Sequence, residues 1–326
     1  MVTCAVIDDY QNVAAGMVDW SRIADQVEVT FFHDRVATRE SLVNRLKDFD
    51  IIAVMRERTP FDRSLLEQLS RLKLLVTTGQ RNASIDVAAA NERGVTVCGT
   101  SSLESPAAEL TWGLILALAR KLPQELREFQ HGGPWQNTLG MDLAGAQLGI
   151  IGLGRLGARV ARVALAFDMK VMAWSANLSA ERCASLGVEH AGSLDQLLTS
   201  SDIVTIHMVL SDRTRGLIGA PQLRRMKPSA LLVNTARAPI IDETALITAL
   251  KERWIAGAGL DVFGEEPLPV QHPFRSLDNV VATPHLGFVT EGNYREFYGM
   301  IVEDIAAWLQ GAPVRLLGEH LAAAKK

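Results

Sequence analysis

Two kinds of residues in this sequence can do chemistry, and they follow one another along the chain. A G-x-G-x-x-G spacing occupies Gly152–Gly157, after an apolar run and before a helical pattern. Arg237, Glu266 and His285 come later, each shortly after a predicted strand. In a parallel sheet the carboxyl ends of the strands face the ligand crevice. A guanidinium, a carboxylate and an imidazole at such an edge can bind an anionic group and transfer a proton.

The glycine spacing predicts a dinucleotide-binding loop. The first glycine allows a tight turn, the second lets a pyrophosphate approach the backbone, and the third permits close packing of helix against strand. The helix that follows, predicted over Leu156–Phe167, presents free N–H groups and partial positive charge to the phosphates. The alternative is a glycine-rich turn within an ordinary α/β domain.

The type of dinucleotide stays open between NAD and NADP. An acidic residue at the end of the second strand is typical of NAD binding, but here Ser175 follows the predicted strand Lys170–Trp174. No arginine for a 2′-phosphate follows directly, since Arg182 is the first one along the chain. Ser175 and Asn177 can hydrogen-bond either a hydroxyl or a phosphate.

Each of the three charged or titratable residues has a plain structural alternative. A lone histidine, glutamate or arginine after a strand is usually a capping or solvated residue. Their joint appearance at three strand ends, downstream of a dinucleotide loop, favours function. Imidazole exchanges protons near neutral pH, which suits His285 to acid–base work. Glu266 can hold the second ring nitrogen, and Arg237 offers a planar fork to a carboxylate or carbonyl.

Strands and helices alternate along the chain, which predicts βαβ units and parallel sheets. A long helix is predicted from Ser105 to Lys121, His131–Gly140 is predicted as a connector, and a last helix covers Glu291–Leu309. The predicted strands, in order, are Thr3–Ile7, Val27–Phe31, Ile51–Met55, Leu74–Thr77, Val95–Val97, Leu148–Leu153, Lys170–Trp174, Ile203–His207, Ala230–Asn234, Ala258–Val262 and Val280–Thr283.

Composition limits the class of protein. The chain has 326 residues, 48% hydrophobic and 21% charged, which is typical of a globular protein of two domains. A net charge of −4 argues against general binding of nucleic acid or an anionic membrane. Three cysteines without a C-x-x-C spacing predict neither a disulfide framework nor a metal site, and favour the cytoplasm. No predicted segment is long and apolar enough to cross a bilayer.

Taken together, the motifs resemble the D-isomer-specific 2-hydroxyacid dehydrogenase family. The stretches that carry the resemblance are Leu148–Gly157, His207–Ile218, Asn234–Asp242, Gly259–Pro267 and Thr283–Gly287. Two further stretches, Met55–Pro60 and Thr77–Asn82, resemble phosphoglycerate-dehydrogenase-like members.

The resemblance implies an α/β fold with two doubly wound parallel-sheet domains. A Rossmann cofactor domain, residues 105–290, is expected to be inserted into a flavodoxin-like substrate-binding (catalytic) domain formed by residues 1–104 plus 291–326. A homodimer is also implied, with Ser105–Lys121 and His131–Gly140 as the contact region.

The resemblance also implies an activity and the residues for it. The expected reaction is hydride transfer between NAD(P)H and a small 2-keto acid or D-2-hydroxy acid, with His285 as acid and base, Glu266 as its partner and Arg237 binding substrate. Backbone amides at Thr78 and Gly79 are expected to bind the substrate carboxylate. The implied cofactor contacts are Gly152, Gly154, Arg155, Leu156, Gly157, Ser175, Asn177, His207, Thr214, Thr235, Ala236 and Asp261.

Some of these positions have structural alternatives. Asp261 can be a strand-end turn residue, His207 can be structural, and Thr214 is favoured as a helix or loop anchor that abuts the cofactor. Arg81 replaces a second glycine common in the family, and a solvent-exposed or structural role is favoured for it. Arg56 and Arg58, near the predicted cleft, are expected to lie on its solvated rim. Trp135 and Tyr294 are expected to pack in the core.

Two other functions share these motifs. A dinucleotide-sensing, corepressor-like binding protein would keep the loop without turnover, although the chain has no basic patch and nothing resembling a recruitment tail. A formate dehydrogenase shares the fold, but that branch of the family places glutamine where Glu266 stands, which favours the hydroxyacid reaction.

Overall fold

The computed structural model describes residues 1–318. The chain divides into two compact units, one made of Met1–Leu103 with the segment that begins at Thr290, the other of Glu104–Val289. We call them the five-stranded unit and the seven-stranded unit, after their sheets. Residues 319–326, the end of the predicted range 291–326, lie outside the described part of the chain.

The five-stranded unit contains one sheet in which every neighbouring pair of strands is parallel. Its strands are ordered β2-β1-β3-β4-β5, which is the flavodoxin-like doubly wound order. The elements are β1 (Val2–Val6), α1 (Ala14–Met17), α2 (Ser21–Ala24), β2 (Val27–Phe31), α3 (Arg39–Leu46), β3 (Ile51–Val54), α4 (Arg63–Leu66), β4 (Leu74–Thr77), α5 (Val87–Glu92) and β5 (Thr96–Gly99).

The seven-stranded unit is also built on a parallel sheet, ordered β12-β11-β10-β9-β6-β7-β8. Counted within the unit, this is the Rossmann order 3-2-1-4-5-6 with one further strand. The elements are α6 (Ser105–Ala119), α7 (Leu122–His131), β6 (Gln147–Ile151), α8 (Arg155–Ala166), β7 (Lys170–Trp174), α9 (Ala180–Ala184), β8 (Glu189–His190), α10 (Leu194–Ser200), β9 (Ile203–Ile206), α11 (Ala220–Arg225), β10 (Leu231–Asn234), α12 (Glu243–Lys251), β11 (Gly257–Leu260) and β12 (Val280–Ala282), with short 3-10 turns at Ala238–Ile240 and Pro273–Arg275.

The predicted fold class, two doubly wound parallel-sheet domains, is confirmed. The central strands are apolar runs because both of their faces are covered. In β3, β4, β9 and β10 every residue is buried. Burial of each large aliphatic side chain contributes about 1.5–3 kcal/mol, so these runs hold the two sheets together.

One long helix completes the five-stranded unit. It is α13 (Glu291–Leu309), which begins where the Thr290 side chain accepts a hydrogen bond from the Asn293 N–H. It buries Phe297, Tyr298 and Ile301, which recur at helical spacing. A polar contact fixes the same face, since Asn293 Oδ1 accepts a hydrogen bond from the Leu103 N–H at 2.9 Å.

The structure differs from the predicted elements between residues 122 and 140. The helix α7 was not predicted from the sequence, and Pro123 lies in its first turn, where the missing N–H of proline costs nothing. No residue of α7 is buried within the described chain. Trp135, expected in the core, is 78% exposed, whereas Tyr294 is buried as expected. Strand β8 was not predicted because its two residues carry no periodic pattern.

Candidate active site

Three adjacent strands of the seven-stranded unit bring the predicted catalytic residues to one edge of the sheet. The parallel strands β10, β11 and β12 are neighbours, and their carboxyl ends therefore lie side by side. Arg237 follows β10, Glu266 follows β11 and His285 follows β12.

His285 and Glu266 form the central pair. His285 Nδ1 lies 2.6 Å from Glu266 Oε2, and Glu266 Oε1 accepts the Phe263 N–H at 2.9 Å. An ionised carboxylate only accepts hydrogen bonds, so Nδ1 carries the proton and Nε2 is the nitrogen left to exchange one. His285 has φ of 53°, an uncommon conformation for a residue other than glycine, and such strain clusters at functional sites. Its ring meets the Phe288 ring edge to face, with centroids 5.4 Å apart.

The loop after β10 is held by its own polar groups. Asn234 Nδ2 donates to the Arg237 carbonyl at 3.0 Å, and Asn234 Oδ1 accepts the Ala236 N–H at 3.0 Å. The Arg237 side chain is half-buried, and its Nη1 donates to the Ala236 carbonyl at 2.7 Å. The Thr235 hydroxyl lies 2.8 Å from the Thr111 hydroxyl of α6, a partner that the sequence did not predict.

Asp261 ties the end of β11 to the loop that carries His285. Its carboxylate accepts hydrogen bonds from the Thr283 hydroxyl at 2.7 Å, the Leu286 N–H at 2.7 Å and the Gly287 N–H at 2.8 Å. Burial raises the pKa of Asp261, which is 1% exposed. A carboxylate has about four acceptor positions, so three of them are already used within the protein.

The three glycines of the loop between β6 and α8 have different reasons to be glycine. Gly152 has φ of 99°, and a Cβ there would lie 2.7 Å from the His207 carbonyl oxygen. A Cβ on Gly157 would overlap the Gly152 carbonyl oxygen. A Cβ on Gly154 would meet no atom of the described chain within 4 Å. The fold therefore requires the first and third glycines, while the second leaves open space at the loop.

The start of α8 can hold a phosphate group. Gly154 is the N-cap, and within residues 1–318 no side chain caps the helix. Its first N–H groups, which have no partner within a helix, are therefore available to an anion. The Arg155 side chain is 82% exposed and pairs with Glu104 at 3.0 Å, and Leu156 is half-buried. These residues fit the pyrophosphate of a dinucleotide.

Two of the predicted cofactor residues have internal partners. His207 Nε2 lies 3.0 Å from the Thr205 hydroxyl, and burial lowers the pKa of His207 to about 4, so its ring is neutral at physiological pH. The Thr214 hydroxyl donates to the Val209 carbonyl at 2.7 Å and accepts the Ser211 N–H at 2.8 Å. Thr214 is thus a loop anchor, the role favoured from the sequence.

The residues that directly follow β7 include no charged side chain that could bind a ribose hydroxyl or a ribose phosphate. Ser175 is half-buried and Asn177 is exposed, and residues 175–179 are Ser, Ala, Asn, Leu and Ser. Hydroxyl and amide groups at this position can hydrogen-bond a ribose hydroxyl or a phosphate equally.

In the five-stranded unit, the predicted substrate loop has its first amides already engaged. The Thr78 N–H donates to the Val54 carbonyl at 3.1 Å, and the Gly79 N–H donates to the Thr100 hydroxyl at 2.9 Å. These amides are therefore not free to bind a substrate as the structure stands. A substrate carboxylate would first have to displace an acceptor such as the Thr100 hydroxyl.

The arginines near this loop take different positions. The Arg56 guanidinium lies against Gly79, so a Cβ at position 79 would overlap the guanidinium. Arg58 is half-buried rather than on a solvated rim, because it donates to the Asp8 carbonyl at 2.6 Å and to the Tyr294 hydroxyl at 3.2 Å. Arg81 is exposed.

No group of three or more His, Cys, Asp or Glu side chains in residues 1–318 is arranged to hold a metal ion. Among the helices of the same residues, none is both long and apolar enough to cross a membrane.

Comparison with known proteins shows the family to which this chain belongs. The family model "D-isomer specific 2-hydroxyacid dehydrogenase, NAD binding domain" matches residues 112–287. A glyoxylate reductase of Aeropyrum pernix is 39% identical over 83% of this chain and 83% of its own length. A D-3-phosphoglycerate dehydrogenase of Methanocaldococcus jannaschii is 39% identical over 84% of this chain, but this chain spans only 52% of that relative.

A solved structure extends the likeness to both units of the chain. The phosphoglycerate oxidoreductase of Vibrio cholerae O395 has a TM-score of 0.91 and 35% sequence identity, and the match covers 96% of this chain and 100% of that one. The chain therefore belongs to the D-isomer-specific 2-hydroxyacid dehydrogenase family, and the match of residues 112–287 is to its NAD binding domain.

Proposed function

We propose that the protein catalyses the reversible NAD(P)-linked reduction of a small 2-keto acid to the D-2-hydroxy acid. The observation that carries the proposal is the His285–Glu266 pair, with Nδ1 and Oε2 2.6 Å apart at the carboxyl edge of a Rossmann sheet. Reduction of a carbonyl needs a proton donor at the oxygen, and an imidazole held through one nitrogen can supply it from the other.

In this mechanism each residue has one task. A nicotinamide bound at this edge would supply the hydride in reduction and accept it in oxidation. His285 Nε2 gives the proton to the substrate oxygen in reduction and takes it back in oxidation. Glu266 fixes the orientation and tautomer of the ring, since its other oxygen is tied to the Phe263 N–H. Arg237 binds the substrate carboxylate or polarises the carbonyl.

The dinucleotide is proposed to lie along the glycine loop. The N–H groups at the start of α8, from Arg155 and Leu156 onward, would hold the pyrophosphate over the open space at Gly154. Thr235, Ala236 and Asp261 would line the nicotinamide, with the carboxamide as the fourth hydrogen-bond donor to Asp261.

Contacts to the adenosine half are proposed for His207 and Thr214 together with Ser175 and Asn177. Residues 175–179 carry neither a carboxylate to repel a 2′-phosphate nor a cation to bind it. We therefore expect both NADH and NADPH to be used, with kcat/KM values within about tenfold of each other, since no charged contact separates them.

For the substrate carboxylate we propose two binding groups, considered separately. Arg237 is the guanidinium in the seven-stranded unit. In the five-stranded unit the loop 77–82 would bind through the N–H of Gly79, which exchanges the Thr100 hydroxyl for the carboxylate, and through the N–H of Thr78, which would have to leave the Val54 carbonyl. Glyoxylate and hydroxypyruvate are the first substrates to test, because relatives include glyoxylate reductases and D-3-phosphoglycerate dehydrogenases.

A substrate panel tests the proposal. The full chain is assayed with a series of 2-keto acids, each with NADH and with NADPH, by the loss of nicotinamide absorbance. Consumption of at least one 2-keto acid, with the D-hydroxy acid as product, supports the reaction. Dinucleotide binding without turnover of any member would contradict it and would favour the corepressor-like alternative.

We further propose that the protein is a homodimer that pairs through the apolar face of α7 and the residues after it. Leu126 is 57% exposed, Phe129 71% and Trp135 78%, and the Phe129 and Trp135 rings contact each other with centroids 6.2 Å apart. An apolar face of this kind is typical of a subunit interface. The three cysteines are free, buried thiols, which agrees with a proposed site of action in the cytoplasm.

A further inference from the structure

A cavity opens at the carboxyl edge of the sheet in the five-stranded unit, away from the loop 77–82. It has a volume of about 210 Å³ and is lined from three strand ends, by Asp8 after β1, Arg35 after β2, and Arg58 with Thr59 after β3. In the order β2-β1-β3-β4-β5 the connections from β1 and β3 leave on opposite sides, which opens a crevice between them. Ligands of doubly wound sheets bind at this switch point.

Asp8, one of the residues that line the cavity, has a buried carboxylate oxygen with an unmet hydrogen-bonding need. Asp8 is 3% exposed and has φ of 65°, in the left-handed region. Its Oδ1 accepts the Thr59 hydroxyl at 3.0 Å, while its Oδ2 is buried and has no hydrogen-bond partner within residues 1–318. Burial raises the pKa of Asp8 to about 6, against the pull of nearby arginines. A buried acceptor without a donor is costly, and a ligand N–H at this oxygen would satisfy it.

The rim of the same cavity is cationic. Four arginines and two aspartates line it, and most of these charges already have partners. Arg39 pairs with Asp62, and Arg45 holds Asp34 through two hydrogen bonds of 2.9 and 2.7 Å.

Arg35 is the lining arginine with a guanidinium ready for a ligand. It is exposed, and in the described part of the chain it forms no ion pair. It nevertheless lies near enough to Asp8 for its charge to lower the pKa of that carboxyl. A guanidinium in this position can bind a carboxylate through two parallel hydrogen bonds.

We propose that this cavity binds a small zwitterion of the α-amino-acid class, with its ammonium group at Asp8 Oδ2 and its carboxylate at Arg35. A simple anion would leave Asp8 Oδ2 without a hydrogen-bond donor. A simple cation would be repelled by the lining arginines, which outnumber the lining aspartates. The volume, about seven times the share of one water molecule in the liquid, suits a compound of this size. The proposal does not rest on the oxidoreductase reaction, because none of its residues belongs to that site.

Binding to the full chain tests the proposal without any use of enzyme activity. Calorimetry and thermal unfolding are run with the standard α-amino acids and with two truncated analogues of alanine, propionate and ethylamine. We expect at least one amino acid to bind and raise Tm, and the two analogues to bind at least about tenfold more weakly, since each lacks one charged contact.

Two substitutions localise the site. Asp8→Asn and Arg35→Gln are each expected to weaken amino-acid binding about tenfold or more. Asparagine tolerates positive φ, so the first variant keeps the backbone, and the second changes an exposed side chain. Arg22→Gln, at an exposed arginine of α2, is the matched control and is expected to bind as the unchanged protein does.

The proposal is overturned if no amino acid binds, if both site variants bind as tightly as the unchanged protein, or if propionate binds as tightly as alanine. If Asp8→Asn does not fold, Arg35→Gln decides alone. A failure here leaves the turnover of 2-keto acids untouched, because that reaction is measured separately.

Discussion

Glu266 bridges two loops by holding His285 Nδ1 at 2.6 Å with one carboxylate oxygen and the Phe263 N–H at 2.9 Å with the other. The orientation of the imidazole is therefore set by the loop after β11, although the histidine itself follows β12. A ring fixed in this way loses little freedom when it transfers a proton, which is the advantage of prior positioning in catalysis.

Removal of the imidazole should abolish most of the proton transfer. His285→Ala is expected to lower kcat by about 10²–10⁴-fold, because general acid–base catalysis contributes that much, while dinucleotide binding stays near that of the unchanged protein. Steady-state kinetics with a 2-keto acid and nucleotide titration by fluorescence measure the two effects. His131→Ala, at an exposed histidine of α7, is the control. An unchanged kcat in His285→Ala would refute the role.

Glu266 should act through the histidine rather than on the substrate. Glu266→Gln is expected to lower kcat by about tenfold to a hundredfold with little change in KM or in the dissociation constant of the nucleotide, the pattern of a lost partner of a catalytic group. The exposed neighbour offers a matched control, Glu265→Gln, for which kcat should not change. Equal effects of the two substitutions would mean that the pair is only structural.

The glycines of the loop should respond differently to alanine. Gly154→Ala is expected to fold with an unchanged Tm, since the added methyl meets no atom of the described chain within 4 Å, but to bind dinucleotide at least about tenfold more weakly. Gly157→Ala should lower Tm as well, because its methyl would overlap the Gly152 carbonyl. Thermal unfolding and nucleotide titration compare the two. Normal nucleotide binding by Gly154→Ala would contradict the proposed position of the pyrophosphate.

Asp8 should make stability depend on pH. Its pKa is raised from 3.8 to about 6 in the folded protein, so the folded state holds this proton more tightly than the unfolded chain does. The resulting stabilisation is complete below pH 3.8 and is lost as the pH rises through 6. Across this range the unfolding free energy of the unchanged protein should fall, relative to Asp8→Asn, by up to about 3 kcal/mol.

Urea unfolding at several pH values measures this difference. Asp304, whose pKa is also raised to about 6, is present in both proteins, so its contribution cancels. A pH-independent difference between the two proteins would show that Asp8 is not a desolvated carboxylate in solution.

The apolar face of α7 should control assembly. Phe129→Glu is expected to convert a dimer into a monomer, because a charge would be placed in the centre of a desolvated interface. Sedimentation analysis gives the mass. Gln130→Glu, on the neighbouring exposed residue, is the control for the added charge alone. Identical masses for Phe129→Glu and the unchanged protein would rule out this interface.

Much of the fold follows from local patterns in the chain. Apolar runs that alternate with helical periodicity predict parallel sheets, since both faces of such strands must be covered. The strand limits at Val27–Phe31, Leu74–Thr77 and Lys170–Trp174 agree with the predicted ones to the residue. The dinucleotide loop, from its glycine spacing, and the positions of Arg237, Glu266 and His285 after three strands could likewise be predicted from the sequence.

Other features depend on contacts between distant segments, and the sequence by itself could not supply them. Glu266 and His285 are 19 residues apart, and only the order of neighbouring strands brings their loops together. The engaged amides of Thr78 and Gly79 depend in the same way on acceptors from β3 and from the residue after β5. Local periodicity determines which elements form because it acts between near neighbours, whereas hydrogen-bond partners and the exposure of α7 depend on how the elements pack.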